Sequence, residues 1–312
     1  MRRKWMRHSA AIALTALLVA LSATWLLADK RKGTDRMDER QRAIHALNRL
    51  TFGPRPGDVD RVLAMGVDKW IDLQLHPEKI DDSALQSRLD QFRTLKMQPR
   101  EMLAQFPPPQ LVKQVADGKM SMPRDPEQRA VYEAAIAKYE NKQEKKQAKN
   151  TADDAQTQEQ SASDAMTPEE QAARREARQQ ARADADRLLS LSPDDRMKAI
   201  LNLQPTERDR LVRVLAPQEK MQLLDGMSPK QKETLLALAN PQAVIPSELM
   251  QAKLERAVYS ERQLDEVMTD FWFNHFNIDA RKGPERALLT EYEREVIRPH
   301  VLGHFRDLLE AT

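Results

Sequence analysis

Prolines stand at positions 193, 205, 217, 229 and 241, one every twelve residues. Each follows Ser192, Gln204, Ala216, Ser228 or Asn240, and the first four precede Asp195, Glu207, Glu219 and Gln231 by two positions. Proline pre-sets the backbone of a helix's first position and lacks the N–H that an interior turn needs, so it starts one helix and ends another. An acid or amide at the third position closes the new N-terminus by reaching back to the cap. The spacing therefore predicts consecutive two-turn helices. None can bury its apolar pair alone (Ala199/Ile200, Leu211/Val212, Leu223/Leu224, Leu235/Leu236), so the units must stack, as a small zigzag layer. Such a layer serves either as a platform for a partner or as a spacer.

The rest of the chain is also helical in pattern, with no strand-forming alternation or hairpin signal, and the fold class is all-α and multi-helical. Residues 40–50 carry Ile44, Leu47 and Leu50 on one side; residues 58–65 form a second helix that stops at Gly66. Asp68 is expected to cap a third helix, with Trp70, Ile71 and Leu75, ending before Pro77. Another closes at Ala116, and Asp125-Pro126 opens a long one through Tyr132, Ile136 and Tyr139. Asn150 to Ala165 is too polar to offset its chain entropy and reads as a disordered linker. Thr167-Pro168 restarts a helix that reads as a solvated arm. By composition the chain divides into 1–32 (signal or anchor), 33–140, 141–190 (charged linker and arm), 191–246 (proline repeat) and 247–312.

A net charge of +2 gives no basic strip for nucleic acid, and the absence of cysteine excludes disulfides, thiolate metal sites and cysteine nucleophiles. Arg2, Arg3, Lys4 and Arg7 precede an uncharged apolar run from Ser9 to Ala28. Twenty helical residues rise about 30 Å, enough to cross the hydrocarbon layer. The more basic flank is N-terminal, which places the body outside the cytoplasm. The segment is either an uncleaved membrane anchor, the favoured reading, or a cleaved signal peptide.

Four aromatic side chains crowd into Phe271-Trp272-Phe273-Asn274-His275-Phe276. Ser260 and Gln263 form a capping-box pattern ahead of them, and Leu264, Val267, Met268, Phe271, Trp272 and His275 make one apolar stripe. Phe273 falls off that stripe and calls for a second packing partner. This block, with Tyr292 to His300 and Gly303 to Leu309, resembles the bacterial family known as domain of unknown function 1800. An N-terminal stretch is independently similar to that family's opening motif: Leu47-Asn48-Arg49-Leu50-Thr51-Phe52-Gly53-Pro54, Gly57-Asp58-Val59 and Gly66 to Ile71. The resemblance covers residues 41 to about 110 and 247 to 312, around a long charged insertion. It implies continuation past Thr312 into further segments that would cover Phe273 and the last helix. It also implies a secreted protein partner, because genes of this family stand beside those of a second secreted, sulfatase-like family.

Candidate chemistry is confined to the second block. Asn274, His275, Asn277 and Asp279 are candidate catalytic residues, with His275 on the apolar stripe read first as a core histidine. His300 and His304, four apart on one expected helix, have the spacing of two ligands to one divalent metal. No other cofactor is implied, and no G-x-S-x-G, S-x-x-K or phosphate-loop pattern occurs. The leading expectation is an envelope protein that binds a partner or serves as a scaffold, with self-association through apolar helix faces. The alternative is an extracytoplasmic, metal-dependent hydrolase completed by further chain. A fusion reporter active only outside the cytoplasm, placed after Lys32, should be active; activity of a cytoplasm-only reporter at that point would refute the export of the body.

Overall fold

A computed structural model of the chain describes residues 37–155, 168–276, 278–279 and 283–312. These residues form sixteen α-helices and no strand. Among them no helix is long and apolar enough to cross a membrane. The expected anchor or signal segment, Ser9 to Ala28, lies outside the described residues. Two compact units emerge, one ending at Asp81 and including Glu261–Val267, the other made of Asp82–Ser260 and Met268–Thr312. They cut across the compositional divisions.

In the first unit, α1 (Glu39–Leu50), α2 (Asp58–Met65) and α3 (Val67–Gln74) surround Ala43, Ala46, Leu47, Val62, Val67 and Trp70. Asp38 caps α1: the Gln41 N–H donates to Asp38 Oδ1 at 2.7 Å, and the Asp38 N–H donates to Gln41 Oε1 at 3.2 Å. Ile44, expected on the packed side, is exposed, because the small Ala43 and Ala46 let the helices approach at that face. Gly66 both ends α2 and opens α3, at φ 92°, a backbone conformation that side chains resist. It takes the capping position expected of Asp68, whose exposed carboxylate pairs with Arg42 at 2.7 Å instead.

The returning segment Glu261–Val267 is fastened to these helices by polar bonds. Gln74 donates Nε2 to the Glu261 carbonyl at 3.0 Å and accepts the Leu264 N–H at 3.1 Å. Gln263 Oε1 accepts the Phe52 N–H, and the Arg262 guanidinium donates to the Ile80 carbonyl at 2.8 Å. Asp58 and Glu261 are joined by two arginines. Arg55 reaches Asp58 at 3.2 Å and Glu261 at 3.1 Å; Arg61 pairs with Asp58 and reaches Glu261 at 3.2 Å. Burial alone would raise the Asp58 carboxyl, but the Arg55 N–H, the Arg61 guanidinium and the Arg55 charge outweigh it and hold the carboxyl below its ordinary range.

The second unit holds α4 (Ser83–Leu89), α5 (Pro99–Gln105), α6 (Pro109–Ala116), α7 (Pro126–Ala155), α8 (Pro168–Ser190), α9 (Pro193–Asn202), α10 (Pro205–Val214), α11 (Pro217–Leu224), α12 (Pro229–Ala239) and α13 (Pro241–Tyr259). α14 (Gln263–His275) ends there, followed by α15 (Leu289–Glu291) and α16 (Phe305–Ala311). All five repeat prolines open helices, at the first helical turn. Glu207, Glu219 and Gln231 each accept the N–H of the residue before the proline at 2.8 Å. One member of an apolar pair suffices for packing: Leu211 and Leu223 are buried while Val212 and Leu224 are exposed.

The repeat is not a free-standing layer. Met197, Ile200, Leu211, Leu223, Ala237 and Leu238 share one core with Met102 and Phe106. Ala185 and Leu188 of α8 lie in the same core, so the expected solvated arm is packed over its last turns. α7 runs to Ala155, so Asn150 to Ala155 is helical rather than part of a disordered linker; residues 156–165 lie outside the described residues.

Basic residues four places into the helices do the joining. Arg196 is buried and donates to the carbonyls of Leu188, Leu191, Gln222 and Leu223. Arg208, one repeat later and also buried, donates to those of Ile200 and Leu201. Both arginines thus donate to carbonyls at the end of the preceding helix, and Arg196 also to those at the end of α11, where helix ends leave acceptor capacity. Their counterparts Lys220 and Lys232 are exposed.

Two stability outcomes follow from these contacts. Arg196→Ala should lower unfolding stability by roughly 2–4 kcal/mol, since several buried carbonyls lose a charged donor. Lys220→Ala should change it by less than about 0.5 kcal/mol, both read by urea unfolding. Asp58→Asn should cost about 3 kcal/mol near neutral pH. Because the folded Asp58 carboxyl is depressed, its contribution is present above the unfolded value of about 3.9 and fades as pH falls through the folded one. The gap between wild type and Asp58→Asn should therefore close in acid; a gap that stays constant down to the acid transition would show that the ionised carboxylate is not the clamp.

Candidate functional site

The aromatic block occupies α14, which begins at Gln263, later than a serine cap at position 260 would set it. Ser260 is fully buried and its hydroxyl donates to Asp82 at 2.8 Å. Beyond α14, residues 289–300 wind through α15, a π-turn at Tyr292–Ile297 and a 3-10 turn at Arg298–His300. Glu293, buried at the π-turn, accepts from Arg256 at 2.9 Å and from Arg298 at 2.8 Å. Sequence reading missed this clamp, since its partners are far apart in the chain and follow no motif.

The candidate residues separate. Asn274 turns back along its own helix and donates to the Asp270 carbonyl at 2.7 Å and carboxylate at 2.8 Å. Asp279 is half-buried and partnered, and Asn277 lies outside the described residues. His300 and His304 do not share a helix. A turn closed by the Gly303 N–H on the His300 carbonyl at 3.0 Å intervenes, and His304 is the extended cap of α16. His300 Nδ1 lies 2.7 Å from the Val296 carbonyl oxygen, leaving its Nε2 as the ring's other polar atom. Among the described residues, no group of three or more His, Cys, Asp or Glu side chains is arranged to hold a metal.

His275 is not a core histidine. It is exposed, stacked on Phe271 with ring centroids 6.0 Å apart and edge-on to Trp272 at 5.6 Å. The series continues from Trp272 to Phe276 at 5.8 Å and from Trp272 to Phe305 of α16 at 5.6 Å. Phe273, whose expected partner was a segment past Thr312, packs against Tyr292 beside Ile297, Val301 and Leu308. The most exposed rings of this series are Phe271, 53% exposed, and Phe305, 54% exposed. On α13, Met250, Leu254 and Val258 are also exposed, at the four-residue spacing that makes one helical stripe. An ion pair between Lys253 and Asp270 joins α13 to α14 beside these residues.

A separate open cleft of about 100 Å³ in the first unit is walled by Thr51, Arg55, Asp58, Arg61, Gln74 and Glu261. Its arginines and carboxylates face one another in a closed ring, so the wall presents balanced charge. That ring holds the segment at residue 261 in place.

Comparison with curated proteins and with solved structures finds no match. A family model described as protein of unknown function (DUF1800) matches residues 45–312, spanning both sequence blocks and the repeat between them. The chain belongs to the DUF1800 family.

Proposed function

We propose that the chain is an exported helical protein of the bacterial envelope that works by binding another protein chain rather than by transforming a substrate. The carrying observation is the exposed apolar surface of the second unit: Met250, Leu254 and Val258 on α13, Phe271 on α14, and Phe305 and Leu309 on α16. Large exposed apolar patches mark interaction surfaces. A stripe at positions i, i+4 and i+8 fits the apolar face of a second helix, and the Phe271, Trp272 and Phe305 rings supply rigid aromatic anchors. The occupant this surface fits first is a second copy of the chain. Arg306 and Glu310, exposed and paired on α16, flank Phe305 and Leu309 so that an antiparallel copy would set arginine against glutamate.

Sedimentation of the body beginning after residue 32 should show concentration-dependent association and binding of a hydrophobic dye. Leu254→Ser with Phe271→Ser should abolish most of both, while Val212→Ser, on an exposed repeat position, should leave them unchanged. A monomeric wild type that binds no dye would overturn the reading.

A further inference from the structure

Two glutamates meet under one short turn in the second unit. Glu233 of α12 has a side chain only 1% exposed; Oε1 accepts from Arg93 at 2.8 Å, and Oε2 has no hydrogen-bond partner. Glu248 of α13, also buried, accepts from the Thr94 N–H at 2.9 Å and the Thr94 hydroxyl at 2.8 Å. Arg93 and Thr94 belong to the 3-10 turn Arg93–Leu95. The other charged groups facing Glu233 are Lys230 on its own helix and Glu127 on α7, which pair at 3.2 Å, and Thr234 donates to Glu127 at 3.1 Å. Three carboxyls thus face two cations, both partly exposed.

A fully ionised set would leave one buried negative charge in excess, with a carboxylate oxygen accepting nothing. Unpaired buried carboxylate is among the costliest arrangements a core can hold, and a proton removes the cost. We propose that Glu233 is a proton-binding site, and that loss of its proton sets its charge against that of Glu248 and destabilises the packing of α12 against α13. Burial pushes its carboxyl up to about 7, the Arg93 charge opposing and the Glu248 charge adding to the rise. Burial raises Glu248 as well, against the Thr94 hydrogen bonds. The same turn is bonded to the C-terminal segment, since Arg294 donates to the Leu95 carbonyl at 2.6 Å.

The sign is opposite to that at Asp58. The folded carboxyl is raised, so its contribution is fully present below the unfolded value of about 4.3 and is lost as pH rises to about 7. Urea unfolding of the full chain at several pH values from 5 to 8 tests this against Glu233→Gln, which keeps the shape and cannot ionise. The wild-type unfolding constant, relative to the variant's, should rise by up to about tenfold per pH unit across the lower part of that range. Parallel profiles for the two proteins would overturn the proposal. Should the variant fail to fold, infrared spectroscopy of the wild type decides instead. A protonated-carboxyl band present at pH 6 and lost by pH 9 supports the proposal, and its absence at pH 6 refutes it.

Discussion

The ring of Asp58, Arg55, Glu261 and Arg61 is the constraint on which the chain's topology depends. It fixes residue 261 beside helices that ended near residue 75, and Gln74 strengthens the join from a second direction. Everything between Asp82 and Ser260 must therefore leave and return to one place. Asp58 is nearly inaccessible, so its two guanidiniums and the Arg55 N–H hold it ionised against the cost of burial. The resemblance of two separate sequence blocks acquires a physical meaning here. Thr51 to Gln74 and Glu261 to Leu264 are halves of one packed unit.

The excursion between the two blocks is absorbed by a different device. Short helices end often, and every helix end leaves carbonyls without partners. Arg196 and Arg208 supply donors to those carbonyls from one helix onward, and the apolar sides of the helices close over the core that Met102 and Phe106 begin. A guanidinium suits this task because its fixed fork can address several oxygens at once. Lysine at the two later units remains in solvent. The proline repeat and the last turns of α8 are thereby part of the second unit's core rather than an appendage to it.

Local rules were legible in the sequence where one residue decides a local outcome. The five repeat prolines, the Asp58 to Met65 helix and the start of the long helix at Pro126 all stand where proline, glycine and capping chemistry put them. Errors arose where a residue could satisfy its needs in two ways. Asp68 could cap a helix or pair with Arg42, and Gly66 took the cap because its backbone fits the junction without strain. The helix expected to start after Ser260 starts at Gln263, and the Ser260 hydroxyl donates to Asp82, which lies far away in sequence. The Glu293 clamp and the ring at Asp58 were illegible for the same reason, since long-range ion pairs leave no spacing to read. His300 and His304 were placed on one helix although Gly303 between them is a residue that breaks helices, and it closes the turn there.

The candidate histidines and the exposed aromatics occupy the same region but answer different physical needs. His275 lends a ring to an aromatic stack, and one nitrogen of His300 is set against the Val296 carbonyl. Leaving Met250, Leu254, Phe271, Phe305 and Leu309 in water is the more expensive feature, since each side chain gains roughly 1.5–3 kcal/mol when fully buried. Association must also offset lost rotational and translational freedom, so a single exposed side chain would not suffice. In the association proposed above, the stripe on α13 and the aromatic series on α14 and α16 would together have to outweigh that cost. The core beside this series, from Phe273 and Tyr292 to Ile297 and Leu308, packs against these rings, and any docking proposed there would gain from rings already held in place.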